Sequence, residues 1–219
     1  MPDQEIKNII FDLDGTLVDS APDIFDSIKK ALISCGVDEK TINMDDVVIG
    51  PPILDIMKKM MACSTEKAEK AVLKFRSVYD QSNFEKTTLY PGVREVLQLL
   101  KNNNFNLFVA TNKPEFSSKK ILRLKNIEYF FTDTVHIDSI TGKKLSKTAM
   151  IKHIIDLNKL KPDQTIMVGD TASDINSAHS VGIQSVALLY GYGDKSEILK
   201  CNPVFTFSKI NDILHCLNI

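Results

Sequence analysis

Two aspartates, Asp12 and Asp14, stand two positions apart at the end of the strand-like segment 6–13. Side chains alternate along a strand, so this spacing points both carboxylates to the same side. Two neighbouring carboxylates repel each other unless a cation keeps one ionised or one of them keeps its proton. Both conditions suit phosphoryl transfer. Two acids before Gly15 are also compatible with a plain strand end and turn, so the pair alone does not decide.

A second acidic pair, Asp170 and Asp174, follows another apolar run. Asp170 could supply an oxygen ligand for Mg²⁺, which favours a few carboxylates together with water and phosphate. Asp174 comes four residues later, at the start of a predicted helix. There it either supports a metal site or simply suits the helix dipole. Acids that end two separate strands are harder to explain as turns than one pair is.

Thr111 and Asn112 follow a third apolar run, and Pro114 is predicted to open a helix. A hydroxyl, an amide and free backbone N–H groups at a helix start can hold phosphate oxygens. The same two residue types are also common at ordinary helix N-termini. As an isolated motif this segment therefore remains open to both interpretations.

A cation is needed beside the acids and the phosphate, and three lysines precede the next predicted helix: Lys143, Lys144 and Lys147. Most lysines are solvated surface residues. Lys143 and Lys144 follow Gly142 in a predicted turn, whereas Lys147 begins a segment whose apolar residues anchor it to the core. A fixed backbone positions a charge better than a mobile one. We therefore favour Lys147, with the other two as alternatives.

The elements that must position these residues alternate along the chain. Four short apolar runs predict buried strands: 6–13, 106–110, 165–168 and 185–189. Helical patterns lie between them, which indicates right-handed crossovers and a parallel sheet. Ligands of such a sheet bind beyond the carboxyl ends of its strands. The predicted fold class is α/β, with a Rossmann-like, doubly wound parallel sheet.

Residues 21–84 carry helical patterns, interrupted at Gly50, and no convincing strand. Residues 89–92 then look like a re-entry turn. We predict a catalytic core domain of residues 1–17 and 87–219, with an α-helical cap domain of residues 18–86 inserted into it.

The charge balance argues against two classes of partner. The 219 residues hold 27 Lys and Arg against 28 Asp and Glu, which gives no electrostatic case for nucleic acid or an anionic membrane. The apolar runs are too short to cross a bilayer, and the N-terminus does not look like a signal peptide. The four scattered cysteines predict reduced, mostly buried thiols. We expect a cytoplasmic monomer or homodimer.

Four motifs occur in one order along the chain: Asp-x-Asp-Gly-Thr at 12–16, Thr-Asn-Lys-Pro at 111–114, a lysine, and Gly-Asp-Thr-x-x-Asp at 169–174. This order resembles the four motifs of the haloacid dehalogenase superfamily. The helical segment after the first motif is similar to the phosphoglycolate phosphatase-like branch. The lysine motif departs from the pattern, because many relatives have a proline after the lysine and none follows here.

The resemblance implies a phosphatase in which Asp12 attacks phosphorus and forms an aspartyl-phosphate. It implies Mg²⁺ held by Asp12, the main-chain carbonyl of Asp14, and Asp170, with Asp174 supporting these ligands. Asp14 would serve as acid and then as base. The residues implied to hold the phosphate and stabilise its charge are Thr111, Asn112 and Lys147.

The expected substrate is a small phosphorylated metabolite, with phosphoglycolate and nucleoside monophosphates as the leading classes. A phosphomutase or a pyrophosphatase on the same core is an alternative, and so is a catalytically idle binding domain. Unneutralised carboxylates in a cleft would cost stability, which speaks against idleness. In the predicted cap, Lys58, Lys59 and Arg76 could meet a second anionic group, although a solvated helix face also explains them.

Overall fold

The computed structural model describes residues 5–47, 49, 53–217 and 219. The chain divides into two compact units. One unit is Ser20–Thr88, and the other combines the chain up to Asp19 with Leu89–Ile219. The chain passes from one unit to the other after Asp19 and after Thr88, whereas the boundaries predicted from the sequence lie at 18 and 86. That Ser20–Thr88 serves as a cap remains a prediction.

The strands, in chain order, are β1 (Asn8–Phe11), β2 (Val18–Asp19), β3 (Thr88–Leu89), β4 (Asn106–Thr111), β5 (Asp133–His136), β6 (Thr165–Gly169), β7 (Gln184–Leu188) and β8 (Phe205–Phe207). Six of them form one sheet in the order β5-β4-β1-β6-β7-β8, and every neighbouring pair in it is parallel. The two-residue strands β2 and β3 are not part of this sheet. β4 and β5 lie on one side of β1, and β6, β7 and β8 lie on the other. The direction in which the strand order runs therefore reverses at β1.

The unit Ser20–Thr88, called the helical unit below, contains the helices α1 (Ala21–Ser34), α2 (Ile53–Met61) and α3 (Thr65–Gln81). Those of the α/β unit are α4 (Val93–Asn102), α5 (Glu115–Leu124), α6 (Lys147–Asn158), α7 (Ala172–Ser180), α8 (Lys195–Lys200) and α9 (Ile213–Cys216).

Both faces of the six-stranded sheet are covered. Ile10 of β1 packs in one apolar cluster with Met150 and Ile154 of α6. Its neighbours Ile9 and Phe11 point to the opposite face and are equally buried. A parallel sheet buried on both faces needs continuous apolar strands, which is why these runs could be found in the sequence. The predicted α/β fold class is confirmed.

The structure adds two strands to the sheet that the sequence interpretation missed, β5 and β8, and both lie at its edges. The two-residue strands β2 and β3, outside this sheet, were missed as well. β5 mixes Asp133, Thr134 and His136 with a single apolar residue, and β8 has only three residues. Neither carries the continuous apolar run typical of a central strand. β1 is also shorter than the predicted segment 6–13, because it ends at Phe11.

The described residues of the helical unit form helices between 21 and 84, as the pattern indicates. Ile28 and Leu32 are buried on α1, where α3 packs against it. Phe75 stacks on Tyr79 within α3, with ring centroids 5.2 Å apart. The predicted break at Gly50, together with Pro51 and Pro52, lies outside the described residues.

Two expectations from composition can be compared with the structure. The four cysteines are free and of intermediate exposure, neither fully buried nor exposed. Within the described ranges, every helix is too short or too polar to cross a membrane.

Candidate active site

The carboxyl ends of β1 and β6 bring two acids together. Phe11 is in register with Val168, and the Asp12 N–H extends that pairing by donating to Val168 O at 2.9 Å. Asp170 follows β6 in the same way, and both aspartates are buried. One carboxylate oxygen each from Asp12, Asp170 and Asp174 lies within 4.8 Å of the other two. We call these three residues the carboxylate cluster.

Burial makes the ionised state of this cluster costly. It raises the pKa of Asp12 well above its ordinary value, and repulsion from Asp174 and Asp170 acts in the same direction against the opposing effect of Lys147. The pKa of Asp170 is raised to about 7, by burial first and by Asp174 second. The cluster therefore holds more negative charge than its protein surroundings offset, which a bound cation would relieve.

Lys147 is the cation inside the cluster. Its Nζ lies 2.6 Å from Asp12 Oδ1 and 3.0 Å from Asp174 Oδ1, and it donates to the main-chain oxygen of Ala110 at 2.8 Å. Three acceptors use the three donors of the ammonium group. Burial lowers the pKa of Lys147, but the two carboxylates outweigh burial and raise it.

The three candidate lysines differ in where the structure places them. Lys147 is the first residue of α6, whose N-cap Ser146 accepts from Ala149 N–H at 3.2 Å, and its side chain is 3% exposed. Lys143 and Lys144 are exposed, in the segment that leads to this helix. The structure thus brings Lys147 to the acids and leaves the other two at the surface.

Asp174 has two contacts of different kinds. Its Oδ2 accepts from Thr171 N–H at 3.1 Å and from the Thr171 hydroxyl at 2.6 Å, which closes a capping box at the start of α7. Its Oδ1 faces Lys147. The sequence left open whether this acid caps a helix or supports the site. In the structure Oδ2 caps the helix and Oδ1 contacts Lys147.

Asp14 does not join the carboxylate cluster through its side chain. Its Oδ2 lies 3.0 Å from Lys113 Nζ, and it is the more exposed partner of this pair. Lys113 is buried and stands inside the motif that predicted Thr111 and Asn112, yet the sequence interpretation gave it no role. Its position two residues after the end of β4 was the available signal, because this is the edge of the sheet at which the acids lie.

The Thr111 motif ends β4, next to β1 in the sheet, so it shares the edge on which Asp12 lies. Thr111 is buried and its hydroxyl accepts from Lys113 N–H at 3.1 Å. Asn112 is exposed. Pro114 is the N-cap of α5, so the helix begins one residue later than a first-turn proline would give.

One family model matches most of the chain. Residues 9–188 match the family described as haloacid dehalogenase-like hydrolase. The chain belongs to this family. The predicted superfamily and the prediction of a hydrolase are confirmed.

Curated relatives place the chain near the phosphatases of the family. A phosphoglycolate phosphatase of Vibrio parahaemolyticus is 32% identical, over 100% of this chain and 99% of its own length. A 5'-nucleotidase of Pseudomonas aeruginosa is 29% identical over 90% of this chain and 88% of its own. Tyrosine-protein kinase PtkA of Mycobacterium tuberculosis is 32% identical over 97% of this chain and 74% of its own.

A solved structure agrees with the fold. The crystal structure of a Clostridium difficile protein superimposes with a TM-score of 0.86 at 34% identity, covering 98% of this chain and 100% of that one. Together with the curated relatives, it confirms the phosphoglycolate phosphatase-like branch and a phosphoric monoester hydrolase as the enzyme class.

Proposed function

We propose that this protein is a Mg²⁺-dependent phosphatase that hydrolyses a small phosphorylated metabolite through an aspartyl-phosphate on Asp12. The observation that carries the proposal is the buried carboxylate cluster of Asp12, Asp170 and Asp174, in which Lys147 pairs with Asp12 and Asp174. Such an excess of charge costs stability unless a ligand offsets it. A phosphatase requires such a ligand.

The donor set fits a divalent cation of the Mg²⁺ type. Carboxylate oxygens are the ligands that Mg²⁺ prefers. The three acids of the cluster face one lysine, which leaves two negative charges for one divalent ion to offset. Asp12, Asp170 and the Asp14 main-chain carbonyl would hold it, supported by Asp174. When bound, the ion would polarise the phosphate and favour the ionised form of the nucleophile.

The first chemical step belongs to Asp12 and Asp14. A carboxylate oxygen of Asp12 attacks phosphorus, and the bond between phosphorus and the ester oxygen breaks. Asp14 gives its proton to that leaving oxygen. Water then attacks the phosphorus of the aspartyl-phosphate, and Asp14 takes the water proton. Inorganic phosphate leaves and Asp12 is regenerated.

Lys147 and the Thr111 motif would hold the transferring group. Lys147 is fixed by three acceptors, so its charge needs no reorganisation when negative charge develops on the phosphate oxygens. Thr111 offers a hydroxyl at the end of β4. The N–H groups of Lys113 and Glu115 already donate to Thr111 and Asp138, so the hydroxyl is the group of this motif that we propose for the phosphate.

The substrate class we favour is a short phosphorylated carboxylic acid such as phosphoglycolate, supported by the Vibrio relative. A nucleoside monophosphate is the second candidate, supported by the Pseudomonas relative. We further propose that the helical unit serves as a cap that selects between them, with Lys58, Lys59 and Arg76 as candidate contacts. A cytoplasmic location and a monomeric or dimeric state remain predictions.

The test is phosphate release from purified protein against 2-phosphoglycolate, nucleoside monophosphates and an aryl phosphate. We expect turnover with Mg²⁺, none after chelation, and recovery when Mg²⁺ is added back. Full turnover after exhaustive chelation would overturn the metal site. A phosphomutase would move phosphate without releasing it, and an idle domain would release none. Because one relative is named a kinase, transfer from ATP to a tyrosine peptide is measured in parallel.

A further inference from the structure

Both oxygens of Asp170 are held by fixed donors. The Thr16 hydroxyl donates to Oδ1 at 2.9 Å, and the Tyr192 N–H donates to Oδ2 at 2.7 Å. Asp170 has no exposed surface, so these two bonds set the direction of its carboxylate. Each oxygen keeps a second lone pair for another ligand.

Each of the two donors is in turn fixed by a phenol from the segment that follows β7. The Tyr190 hydroxyl donates to the main-chain oxygen of Thr16 at 2.6 Å. The Tyr192 hydroxyl donates to Asp19 Oδ1 at 2.8 Å. The segment 190–193 is therefore tied to the chain after β1 at two points, on either side of Asp170.

The glycines of this segment allow it to approach Asp170 directly. A Cβ on Gly191 would lie 2.3 Å from Asp170 Oδ2 and 2.4 Å from the Gly15 main-chain oxygen. A Cβ on Gly193 would lie 2.1 Å from the Asp170 main-chain oxygen. Space, rather than backbone conformation, is what these positions require. The segment is shaped to fit against this one aspartate.

We propose that residues 190–193 form a positioning loop for Asp170, with Tyr192 and Tyr190 as its anchors. The inference rests on the proposed function in one respect, namely that Asp170 is a metal ligand. Hydrogen bonds from the surroundings orient the ligands of a metal, and their loss typically weakens binding about 10- to 100-fold. A loop that holds both donors to one ligand acts on metal affinity without touching the metal or the phosphate.

The primary test measures Mg²⁺ binding to the intact protein by isothermal titration calorimetry, which needs no substrate. Tyr192→Phe keeps the N–H donor but loses the bonds of its hydroxyl to Asp19 and to Tyr90, and should raise the Kd for Mg²⁺ about tenfold. Tyr190→Phe should act in the same direction. Tyr129→Phe is the matched control, because Tyr129 is 67% exposed, and should leave the Kd unchanged.

A double-mutant cycle separates the hydrogen bond from a general packing effect. Asp19→Ala should weaken Mg²⁺ binding as much as Tyr192→Phe, and the double variant should be no worse than either alone. Asp19→Asn keeps an acceptor oxygen and should bind Mg²⁺ as the wild type does. Additive losses in the double variant would contradict a role through this bond.

Gly191→Ala gives the strongest perturbation, since its Cβ would meet a carboxylate and a main-chain oxygen. We expect Mg²⁺ binding to be lost. Gly142→Ala should keep it, because its Cβ meets nothing within 4 Å, and the strain from its φ of +75° stays within an exposed segment. If Gly191→Ala does not fold, the tyrosine variants decide. Wild-type protein that binds Mg²⁺ beside a Tyr192→Phe variant of equal affinity overturns the positioning loop alone. Wild-type protein that binds no Mg²⁺ overturns the proposed metal site as well.

Discussion

The helical unit and the α/β unit each bury aspartate, in opposite ways. In the helical unit, Asp23 is 8% exposed, and one of its oxygens accepts from both the N–H and the hydroxyl of Thr87, at 2.6 and 2.7 Å. One carboxylate there has neutral donors of its own. In the α/β unit, carboxylate oxygens of three aspartates lie within 4.8 Å of one another, and Lys147 contacts two of them, Asp12 and Asp174.

The difference shows that burial of an acid does not by itself indicate chemistry. Hydrogen bonds to a charged group can offset its desolvation, so folding alone explains Asp23. Asp170 and Asp174 have neutral donors too. Three acids within 4.8 Å of one another nevertheless repel, and one lysine offsets only one of their charges. The number of acids relative to the cations near them, rather than the depth of burial, is what distinguishes the carboxylate cluster from Asp23. Substitutions in each unit test this difference.

Asp12→Asn should have the largest effect. An amide is not a competent nucleophile here, so kcat should fall at least about 10⁴-fold. The free energy of unfolding without metal should not decrease, because the fold disfavours the ionised form of Asp12. Rapid quenching and mass spectrometry should detect a phosphoryl adduct in wild type and in Asp163→Asn, whose side chain is exposed. An adduct that persists in Asp12→Asn would show that another residue is the nucleophile.

Lys147→Ala should come next. Its loss removes a fixed donor from the phosphate site, and about 2–4 kcal/mol of transition-state stabilisation should disappear from kcat/KM. The exposed lysines are matched controls, and Lys143→Ala and Lys144→Ala should each change kcat/KM by less than about tenfold, or roughly 1.4 kcal/mol. A crippling effect of Lys144→Ala beside a silent Lys147→Ala would contradict the assignment of the motif lysine.

Asp23→Ala should lower the free energy of unfolding and leave the metal site intact, which is the reverse of what we expect for Asp12→Asn. The Thr87 N–H and hydroxyl would lose their acceptor, so denaturant unfolding should show a loss of about 1–3 kcal/mol. Mg²⁺ affinity should not change, since Asp23 is not in the cluster. Asp26→Ala, which removes an exposed partner of Lys86, should cost less than about 1 kcal/mol. Weakened Mg²⁺ binding in Asp23→Ala would remove the contrast between the two units.

The smallest effect we expect is a pH dependence of the metal-free protein. Folding raises the pKa of Asp170 from 3.8 to about 7, and raises that of Asp12, so the folded state binds protons more tightly than the unfolded state. Stability should therefore fall as the pH rises from about 4 to about 7. Thermal melts with a chelator should show a Tm lower by a few degrees at the upper end. A flat profile would mean that the cluster is not under strain from its charge.

The residues that the structure brings together at the candidate site could be predicted where residue type and secondary structure leave a signal together. Asp12 and Asp170 each follow a buried apolar strand, so the sequence indicates both the residue and its place. Lys147 could be separated from Lys144 because apolar residues follow it in the chain. These are local patterns of residue type, and the fold class rests on the same apolar strands.

What the sequence could not show depends on contacts between distant segments. Lys113 was overlooked because its partner Asp14 is far from it in the chain. The bond from Tyr192 to Asp170 uses a main-chain N–H, which every residue except proline has, so residue type carries no information about it. The spacing of Gly191 and Gly193 was the available hint, and only a structure shows what they approach.

The central position of β1 has a consequence for protein synthesis. Its partners β4 and β6 begin at Asn106 and Thr165, so a ribosome must translate the whole helical unit before either partner exists. At about 5–20 residues per second, β1 waits several seconds for its first neighbour and longer for its second. During that time an apolar strand with two open edges emerges from the ribosome. The last acid of the cluster, Asp174, arrives when most of the chain has been made.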